Sequence, residues 1–206
     1  MPANASEWDV KHRAAAQDKP PEPASIVREL LPLLPMGPAL DLACGTGRHT
    51  LLLASRHQPV VAVDWSPVAL AILEQHARSL NFTFHHSSGA EFAVPSAVRG
   101  IQLVRADIES VVLPPDSFSL ILCVQYLQRN LFPQMERALR PGGVLLFETF
   151  TCAQLEFAGG PRNPAHLLEL GELHDAFARL EILFYRELRA GQGIASLVAR
   201  KPRERR

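Results

Sequence analysis

The sequence predicts an α/β fold in which a doubly wound, mostly parallel sheet carries helices on both faces. Apolar segments of strand length alternate with helix-like segments along most of the chain. Residues 39–43 form one such strand and lead through Gly45-Thr46-Gly47 directly into a helix. Asp64 ends the next apolar segment, 17 residues after Gly47, which is the interval of one helix plus one strand. This arrangement is typical of a sheet that binds a nucleoside-containing cofactor at the carboxyl ends of its strands.

The elements around the glycine loop follow from hydrophobic periodicity and from helix-capping residues. An apolar stripe recurs at helical spacing before the loop, and the strands on either side of it are almost entirely apolar, as buried parallel strands are. Ser66 and Pro67 supply an N-cap and a first helical turn. The predicted elements are helices over 25–34, 47–56 and 66–80, and strands over 39–43 and 60–64.

The second half of the chain returns to regular alternation after an irregular segment. Residues 81–100 contain a short alternating run, but Gly89 and Pro95 interrupt it, and the segment is long for an α/β connection. We interpret it as an insertion that forms either a flap near the cofactor or a surface for a partner. The remaining predicted elements are strands over 101–106, 119–124, 144–149, 180–188 and 193–200, the last two as an antiparallel hairpin, and helices over 130–140 and 172–179.

Composition favours one cytoplasmic domain. The chain has 206 residues and a formal net charge of zero, which argues against a nucleic-acid-binding protein. Its three cysteines lack the close spacing of a disulfide framework or a zinc site, so we expect a reducing compartment and no metal. No apolar run approaches the length of a membrane span. We divide the chain into an N-terminal segment (1–23), a domain (24–200) and a basic tail (201–206).

The order of residues in the glycine loop decides between cofactors. A dinucleotide-binding loop would carry a third glycine where Thr50 stands, and Asp41 at the strand end would repel a pyrophosphate. The run Asp41-Leu42-Ala43-Cys44-Gly45-Thr46-Gly47-Arg48 instead resembles the first motif of class I S-adenosylmethionine-dependent methyltransferases. The resemblance covers about residues 39–200. It implies a Rossmann-like, seven-stranded sheet of order 3-2-1-4-5-7-6 whose last strand is antiparallel.

A subgroup is also indicated. Glu148-Thr149-Phe150-Thr151, the run 161–168 from Pro161 to Leu168, Gly171-Glu172-Leu173 and the variant Gly47-Arg48-His49 are similar to bacterial methyltransferases grouped with tellurite-resistance proteins. The resemblance implies S-adenosyl-L-methionine as cofactor. It also places the substrate beside the loop that contains residues 161–168.

The resemblance assigns cofactor contacts to residues at the strand ends. Asp64 would accept hydrogen bonds from the ribose hydroxyls, or else serve only as an acid at a helix N-terminus. Asp107 would accept a hydrogen bond from the adenine amine, and the Ile108 N–H would donate one to a ring nitrogen. Alternatively, Asp107 is only an acid in a surface turn. Val124 would offer its carbonyl to the cofactor ammonium, and Trp65 would either cover the adenine or pack in the domain.

The loop itself completes the predicted cofactor site. Gly45 and Gly47 would line the methionine portion, because a residue without Cβ lets ligand and backbone approach closely. Asp41 would bind the ammonium or fix the loop, and Cys44 is expected to be a small buried residue rather than a nucleophile. The predicted cofactor-binding residues are Asp41, Ala43, Cys44, Gly45, Gly47, Asp64, Trp65, Asp107, Ile108 and Val124.

Substrate contacts and proton transfer are assigned to polar residues near the predicted methyl position. Trp8 either anchors the N-terminal segment onto the domain or belongs to a lid over the active site, as N-terminal segments do in many related methyltransferases. Glu148 and His166 are the candidate general bases. Asn163 and His166 have a structural alternative, as a turn residue and a helix-start residue. The predicted substrate-binding residues are Trp8, Arg48, Gln125, Tyr126, Arg162 and Asn163.

The function expected from these residues is methyl transfer to a small-molecule nucleophile. Because no catalytic triad or metal cluster is evident, we expect an acceptor that is itself nucleophilic, such as a thiol or a metalloid species. The alternative is a non-catalytic S-adenosylmethionine-binding module that acts through a protein partner. A nicotinamide oxidoreductase is disfavoured by the missing third glycine. Neither nucleic acid nor membrane is an expected partner, and the sequence does not indicate an oligomeric state.

Overall fold

The computed structural model describes residues 5–15, 19–90 and 100–203 of the chain. Eight strands lie within these residues: β1 Ala39–Leu42, β2 Val60–Asp64, β3 Phe84–Ser88, β4 Ile101–Arg105, β5 Phe118–Val124, β6 Leu139–Phe150, β7 Glu181–Arg189 and β8 Gly193–Arg200. The α-helices described are α1 Ala5–Ala15, α2 Ser25–Glu29, α3 Arg48–Ser55, α4 Pro67–Ser79, α5 Phe132–Ala138 and α6 Glu172–Ala176. Short 3₁₀ turns cover Leu31–Leu33, Arg129–Leu131, Cys152–Glu156 and Pro164–His166.

The strands form one sheet of order β3-β4-β2-β1-β5-β6-β8-β7. Pairing is parallel from β3 to β6, and β8 runs antiparallel to both β6 and β7. Seven of these strands reproduce the predicted order, so the predicted doubly wound α/β fold with an antiparallel hairpin at one edge is confirmed. The chain reverses direction across the sheet between β1 and β5, where such folds bind ligands.

The eighth strand lies where we expected an insertion. Residues 84–88 form β3, which pairs with β4 in the register Phe84↔Ile101 and extends the sheet at that edge. Its sequence Phe-His-His-Ser-Ser lacks the apolar alternation of a half-buried strand, because an edge strand exposes much of its surface to water. The interpretation of 81–100 as an insertion therefore does not hold for 84–88, which belong to the sheet. Residues 91–99 of the predicted insertion lie outside the described residues.

Apolar side chains on the two faces of the sheet make two cores. One contains Phe118 together with Phe132, Phe147 and Phe177, and the rings of the last three pack on one another at centroid distances of 5.1 to 6.1 Å. The other lies under α2, α3 and α4. Because helices cover both faces, the central strands are buried throughout their length, which explains their nearly continuous apolar sequences.

Several predicted boundaries shift for local reasons. The helix predicted over 25–34 ends at Glu29 and continues as a 3₁₀ turn that contains Pro32. The helix predicted over 130–140 occupies Phe132–Ala138, and β6 begins at Leu139 instead of residue 144. A register shift between Phe118 and Leu120 marks this early part of β6. Gly143 is required there, because a Cβ would lie 2.9 Å from the Phe118 carbonyl oxygen.

The N-terminal segment forms α1, a helix that the sequence analysis did not predict. It packs against α4, and Ser66 Oγ donates a hydrogen bond of 2.5 Å to Asp9 Oδ1. Ser66 Oγ also accepts from the Ala69 N–H, which confirms its predicted role as the N-cap of α4. The same hydroxyl therefore joins α1 to the start of α4. Within the ranges that the structure describes, no helix is both long and apolar enough to cross a bilayer.

Candidate functional site

A cavity of about 260 Å³ opens at the carboxyl ends of β1, β2, β4 and β5. Residues that follow these four strands make its floor, and side chains from α1, the segment before α2 and the first turn of α3 make its walls. The lining residues are Trp8, His12, Pro21, Ala43, Cys44, Gly45, Thr46, Arg48, His49, Asp64, Trp65, Ile108, Val124, Gln125 and Tyr126.

The cavity brings together a large part of the predicted site. From the predicted cofactor residues it contains Ala43, Cys44, Gly45, Asp64, Trp65, Ile108 and Val124. From the predicted substrate residues it contains Trp8, Arg48, Gln125 and Tyr126. The predicted residues that do not line it are Asp41, Gly47, Asp107, Glu148, Arg162, Asn163 and His166.

Asp64 connects the glycine loop to the end of β2. Its Oδ2 accepts from the Gly45 N–H at 2.8 Å, and its Oδ1 accepts from the Ser66 N–H at 2.9 Å. Burial raises the pKa of this carboxyl, and the two backbone hydrogen bonds oppose that shift. Each oxygen keeps a further lone pair, so the carboxylate can hold the loop in place and still accept from a ligand.

Gly47 and Asp41 fix the conformation of the glycine loop. Gly47 has φ +85° and begins α3, and a Cβ at this position would lie 2.1 Å from Leu73 Cδ1. Asp41 is fully buried and accepts a 2.6 Å hydrogen bond from Thr50 Oγ1, and its burial raises its pKa to about 6. Of the two roles predicted for Asp41, this geometry favours fixing the loop.

Asp107 closes β4 with a turn, while its neighbour Ile108 lines the cavity. The Asp107 Oδ1 accepts from the Glu109 N–H at 3.0 Å, and its carbonyl oxygen accepts from the Ser110 N–H at 3.1 Å. This is the surface-turn arrangement considered as the alternative for Asp107. Cys44 is buried in the cavity wall, and burial raises the pKa of its thiol, as expected for a packing residue rather than a nucleophile.

Three polar residues occupy the wall between β1 and β5. Arg48 Nη2 donates to Gln125 Oε1 at 2.8 Å, and the Gln125 N–H donates to the Glu148 carbonyl oxygen at 2.7 Å. Tyr126 is half-buried, and its burial raises the pKa of its hydroxyl, which therefore stays protonated at neutral pH. The wall thus offers a guanidinium, an amide and a phenol to a ligand.

Neither of the two candidate bases lines the cavity. Glu148 is buried on β6, where Ser196 Oγ of β8 donates to its Oε2 at 2.6 Å, and burial raises the pKa of the carboxyl. His166 lies in the 3₁₀ turn Pro164–His166, and Asn163 Oδ1 caps that turn by accepting from the Ala165 N–H at 3.0 Å. Asn163 therefore has the turn role considered as its alternative, whereas His166 ends the 3₁₀ turn instead of starting a helix.

Arg162 also stabilises the loop that contains it. Its Nη1 donates to the Leu155 carbonyl at 2.9 Å and its Nη2 to the Phe157 carbonyl at 2.6 Å. These contacts hold the ends of the loop together instead of directing the guanidinium into the cavity. No cluster of three or more metal-ligating side chains occurs within residues 5–15, 19–90 and 100–203.

Sequence reasoning missed four lining residues: His12, Pro21, Thr46 and His49. His12 stacks on Trp8 with ring centroids 5.9 Å apart, and its spacing of four residues from Trp8 would have shown both on one face of a helix. His49 Nε2 accepts from the Ala24 N–H at 3.2 Å, and burial lowers its pKa to about 3. A neutral His49 thereby anchors the segment that carries Pro21 to the cavity wall.

Comparisons with known proteins agree with this geometry. The family model described as a methyltransferase domain matches residues 40–147. A malonyl-[acyl-carrier protein] O-methyltransferase of Paenibacillus sp. (strain JDR-2) is 31% identical over 150 residues, which cover 68% of this chain and 43% of the relative. A trans-aconitate 2-methyltransferase of Methylobacterium nodulans is 25% identical over 169 residues, covering 79% of this chain and 54% of the relative. The chain thus spans about half the length of these curated relatives.

The fold has close counterparts among solved structures. TehB from Haemophilus influenzae superposes with a TM-score of 0.69 at 18% identity, over 87% of this chain and 62% of TehB. At such identity the superposition establishes the fold alone. The matched segment 40–147 contains β1 to β5, the glycine loop and Asp64, and so includes much of the cavity floor. Because the family model covers more than half of its residues, this chain belongs to the methyltransferase domain family.

Proposed function

We propose that the protein is an S-adenosyl-L-methionine-dependent methyltransferase that acts on a small-molecule nucleophile. The observation that carries this proposal is the junction of the glycine loop with Asp64 in the cavity floor, joined by the 2.8 Å bond from the Gly45 N–H. The residues present fit the cofactor. The cavity combines a loop glycine at φ +54°, an acid at the end of β2 and the apolar side chains of Trp65 and Ile108.

Each part of the cofactor has a proposed partner in the cavity. Asp64 would accept hydrogen bonds from the ribose hydroxyls, and Trp65 and Ile108 would enclose the adenine. Gly45 and the Val124 carbonyl would lie along the methionine portion. When bound, S-adenosylmethionine supplies an electrophilic methyl group on a sulfonium sulfur that retains the electron pair of the broken bond. The chain itself contributes alignment and exclusion of water, which can supply about 7–11 kcal/mol.

The position of the candidate bases supports an acceptor that needs no proton removed. Glu148 is hydrogen-bonded to Ser196 away from the cavity lining, and His166 does not line it. A thiolate or a reduced metalloid species, the acceptors expected from the sequence, satisfies this condition. A carboxylate does so too, and the names of the curated relatives contain two carboxylic acids, malonyl and trans-aconitate. The three free cysteines are compatible with a cytoplasmic enzyme.

Helix α1 bears on how ligands reach the cavity. Trp8 and His12 contribute to the cavity wall, and Asp9 joins α1 to the N-cap of α4. We therefore propose that α1 covers the bound ligands, which is the lid considered for the N-terminal segment.

Calorimetric titration with S-adenosylhomocysteine, beside NAD, tests the cofactor assignment. Wild type should bind S-adenosylhomocysteine and not NAD. Asp64→Ala should weaken binding about ten-fold or more, because it removes a charged hydrogen-bond acceptor. Asp175→Ala, at an exposed acid of α6, is the matched control and should bind like wild type. Asp64→Asn, which keeps the shape of the side chain, separates loss of charge from loss of fold.

An acceptor screen then tests catalysis. Thiols, selenide, telluride and organic acids are each incubated with the protein and S-adenosylmethionine, and production of S-adenosylhomocysteine is measured. Absence of S-adenosylhomocysteine binding by wild type would overturn the proposal. Binding without turnover on every acceptor would favour the non-catalytic module that acts through a partner.

A further inference from the structure

Among the described residues, Arg48 places in the cavity wall a positive charge that has no direct ion-pair partner. The contact given for its guanidinium is the 2.8 Å hydrogen bond to the neutral amide of Gln125. Within the described part of the chain, no carboxylate oxygen lies within 4.0 Å of it. A charge that is partly removed from water without a counter-ion is costly, so its retention in a cavity points to an anionic ligand.

The acids of the protein that act on Arg48 are hydrogen-bonded elsewhere. Asp41 and Glu148 are the carboxyl groups whose charges act on Arg48. Asp41 accepts from Thr50 at 2.6 Å and Glu148 accepts from Ser196 at 2.6 Å, and both are buried. Neither acid therefore forms the direct ion pair with Arg48 that a ligand carboxylate could form.

The backbone at Gln125 is held in an unusual conformation that keeps this residue at the cavity. Gln125 has φ +61°, a region that residues other than glycine seldom adopt, and Ala43 at the end of the neighbouring strand has φ +57°. Such conformations cost about 1–3 kcal/mol each and cluster at ligand sites. The 2.7 Å bond from the Gln125 N–H to the Glu148 carbonyl fixes the turn. The backbone of Gln125 is thus held at the cavity, and its side chain there accepts the hydrogen bond from the Arg48 guanidinium.

We propose that Arg48, oriented by Gln125, binds a carboxylate group of the methyl acceptor. This inference, which rests on the proposed function, identifies the acceptor as a small organic acid. A guanidinium has five N–H donors in a planar fork that matches a carboxylate, and one contact to Gln125 leaves others for the ligand. An organic acid is also ionised at neutral pH and requires no general base, in agreement with the location of Glu148 and His166 outside the cavity lining.

The cofactor contains a carboxylate of its own, and the first arm of the experiment separates it from the acceptor. Calorimetry compares S-adenosylhomocysteine with 5′-methylthioadenosine, which has the same nucleoside and thioether but no amino-acid group. Wild type, Arg48→Gln and Arg48→Lys are titrated with each compound. Arg28→Gln, an exposed arginine of α2 outside the cavity lining, is the matched control. The proposal expects every variant to bind both compounds as wild type does.

The second arm measures acid binding to the protein saturated with S-adenosylhomocysteine. The probes are glutarate and benzoate, each beside its uncharged amide. Wild type and Arg28→Gln should bind the acids in preference to the amides. Arg48→Gln should lose about ten-fold or more of that affinity, and Arg48→Lys should lose an intermediate amount because it keeps the charge but not the fork.

Each contrary result has a distinct meaning. If Arg48→Gln weakens S-adenosylhomocysteine but not 5′-methylthioadenosine, Arg48 binds the cofactor and the proposal is overturned. It is equally overturned if saturated wild type shows no preference for acids, or if Arg48→Gln retains that preference. In these cases the proposed methyltransferase stands. Failure of wild type to bind S-adenosylhomocysteine would instead remove the proposed function together with this inference.

Discussion

Replacing Gly47 by alanine is expected to destabilise the protein by about 2–5 kcal/mol. Two effects add. An alanine at φ +85° occupies the left-handed region, at a cost of about 1–2 kcal/mol. Its Cβ would also lie 2.1 Å from Cδ1 of Leu73, and because Leu73 is fully buried, relieving the overlap must shift α3 or α4, at about 1–3 kcal/mol. Urea denaturation followed by circular dichroism measures the sum.

Gly171 provides the matched control for the backbone effect. It also precedes a helix, at φ +79°, and no atom lies within 4 Å of a Cβ placed there. Gly171→Ala should therefore lose about 1–2 kcal/mol, from the left-handed backbone alone. For a chain of this size, each 1 kcal/mol corresponds to a change of about 2–4 °C in Tm, so thermal unfolding resolves the two variants.

A second substitution isolates the steric effect. Leu73→Ala removes the atoms that the new Cβ would meet, so it should cost less in the Gly47→Ala background than in wild type. We expect a coupling free energy of about 0.5–3 kcal/mol between the two positions. Equal losses for Gly47→Ala and Gly171→Ala, with additive effects of Leu73→Ala, would refute the close-packing argument.

Three further predictions use the same denaturation assay. Burial raises the pKa of Asp41 to about 6, so the folded chain keeps a proton that the unfolded chain releases above about pH 4. The free energy of unfolding should therefore fall from about pH 4 to about pH 6, and Asp41→Asn should abolish this fall. His49 behaves oppositely, because burial lowers its pKa to about 3. Stability is lost as pH falls below about 6.5, and His49→Gln should abolish that loss. Ser66→Ala should lower the free energy of unfolding by about 1–2 kcal/mol, because the N-cap of α4 and the contact with Asp9 disappear. The control Ser79→Ala should change the free energy of unfolding by under about 0.5 kcal/mol.

The fold was predictable because its central strands are covered on both sides. Val60–Asp64 and Gly193–Arg200 have the predicted bounds, since the chain there is apolar over a full strand length and ends at a polar residue or a turn. The strand Phe84–Ser88 was missed because it lies at the edge and presents polar side chains. Helix α1 was missed for a similar reason: its sequence has no continuous apolar stripe.

The candidate site was predictable where chain order fixes position. Gly45 follows β1, Asp64 ends β2 and Val124 ends β5. The carboxyl ends of these parallel strands meet at one edge of the sheet, so the three residues converge on the cavity whatever the details of the loops. Arg162 and His166 belong to a long loop whose path depends on contacts that sequence spacing does not encode. The Arg162 bonds to Leu155 and Phe157 turn that side chain toward its own loop.

The contact between α1 and α4 has a consequence for how ligands enter and leave. Since α1 supplies Trp8 and His12 to the cavity wall, its proposed role as a lid would link docking of α1 and occupancy of the cavity reciprocally. If a ligand raises the equilibrium constant for docking of α1 by some factor, docking of α1 raises the affinity for that ligand by the same factor. With α1 as the proposed lid, departure of a bound molecule would require the Asp9–Ser66 contact to break, and residence time would be a property of the N-terminal helix as well as of the cavity floor.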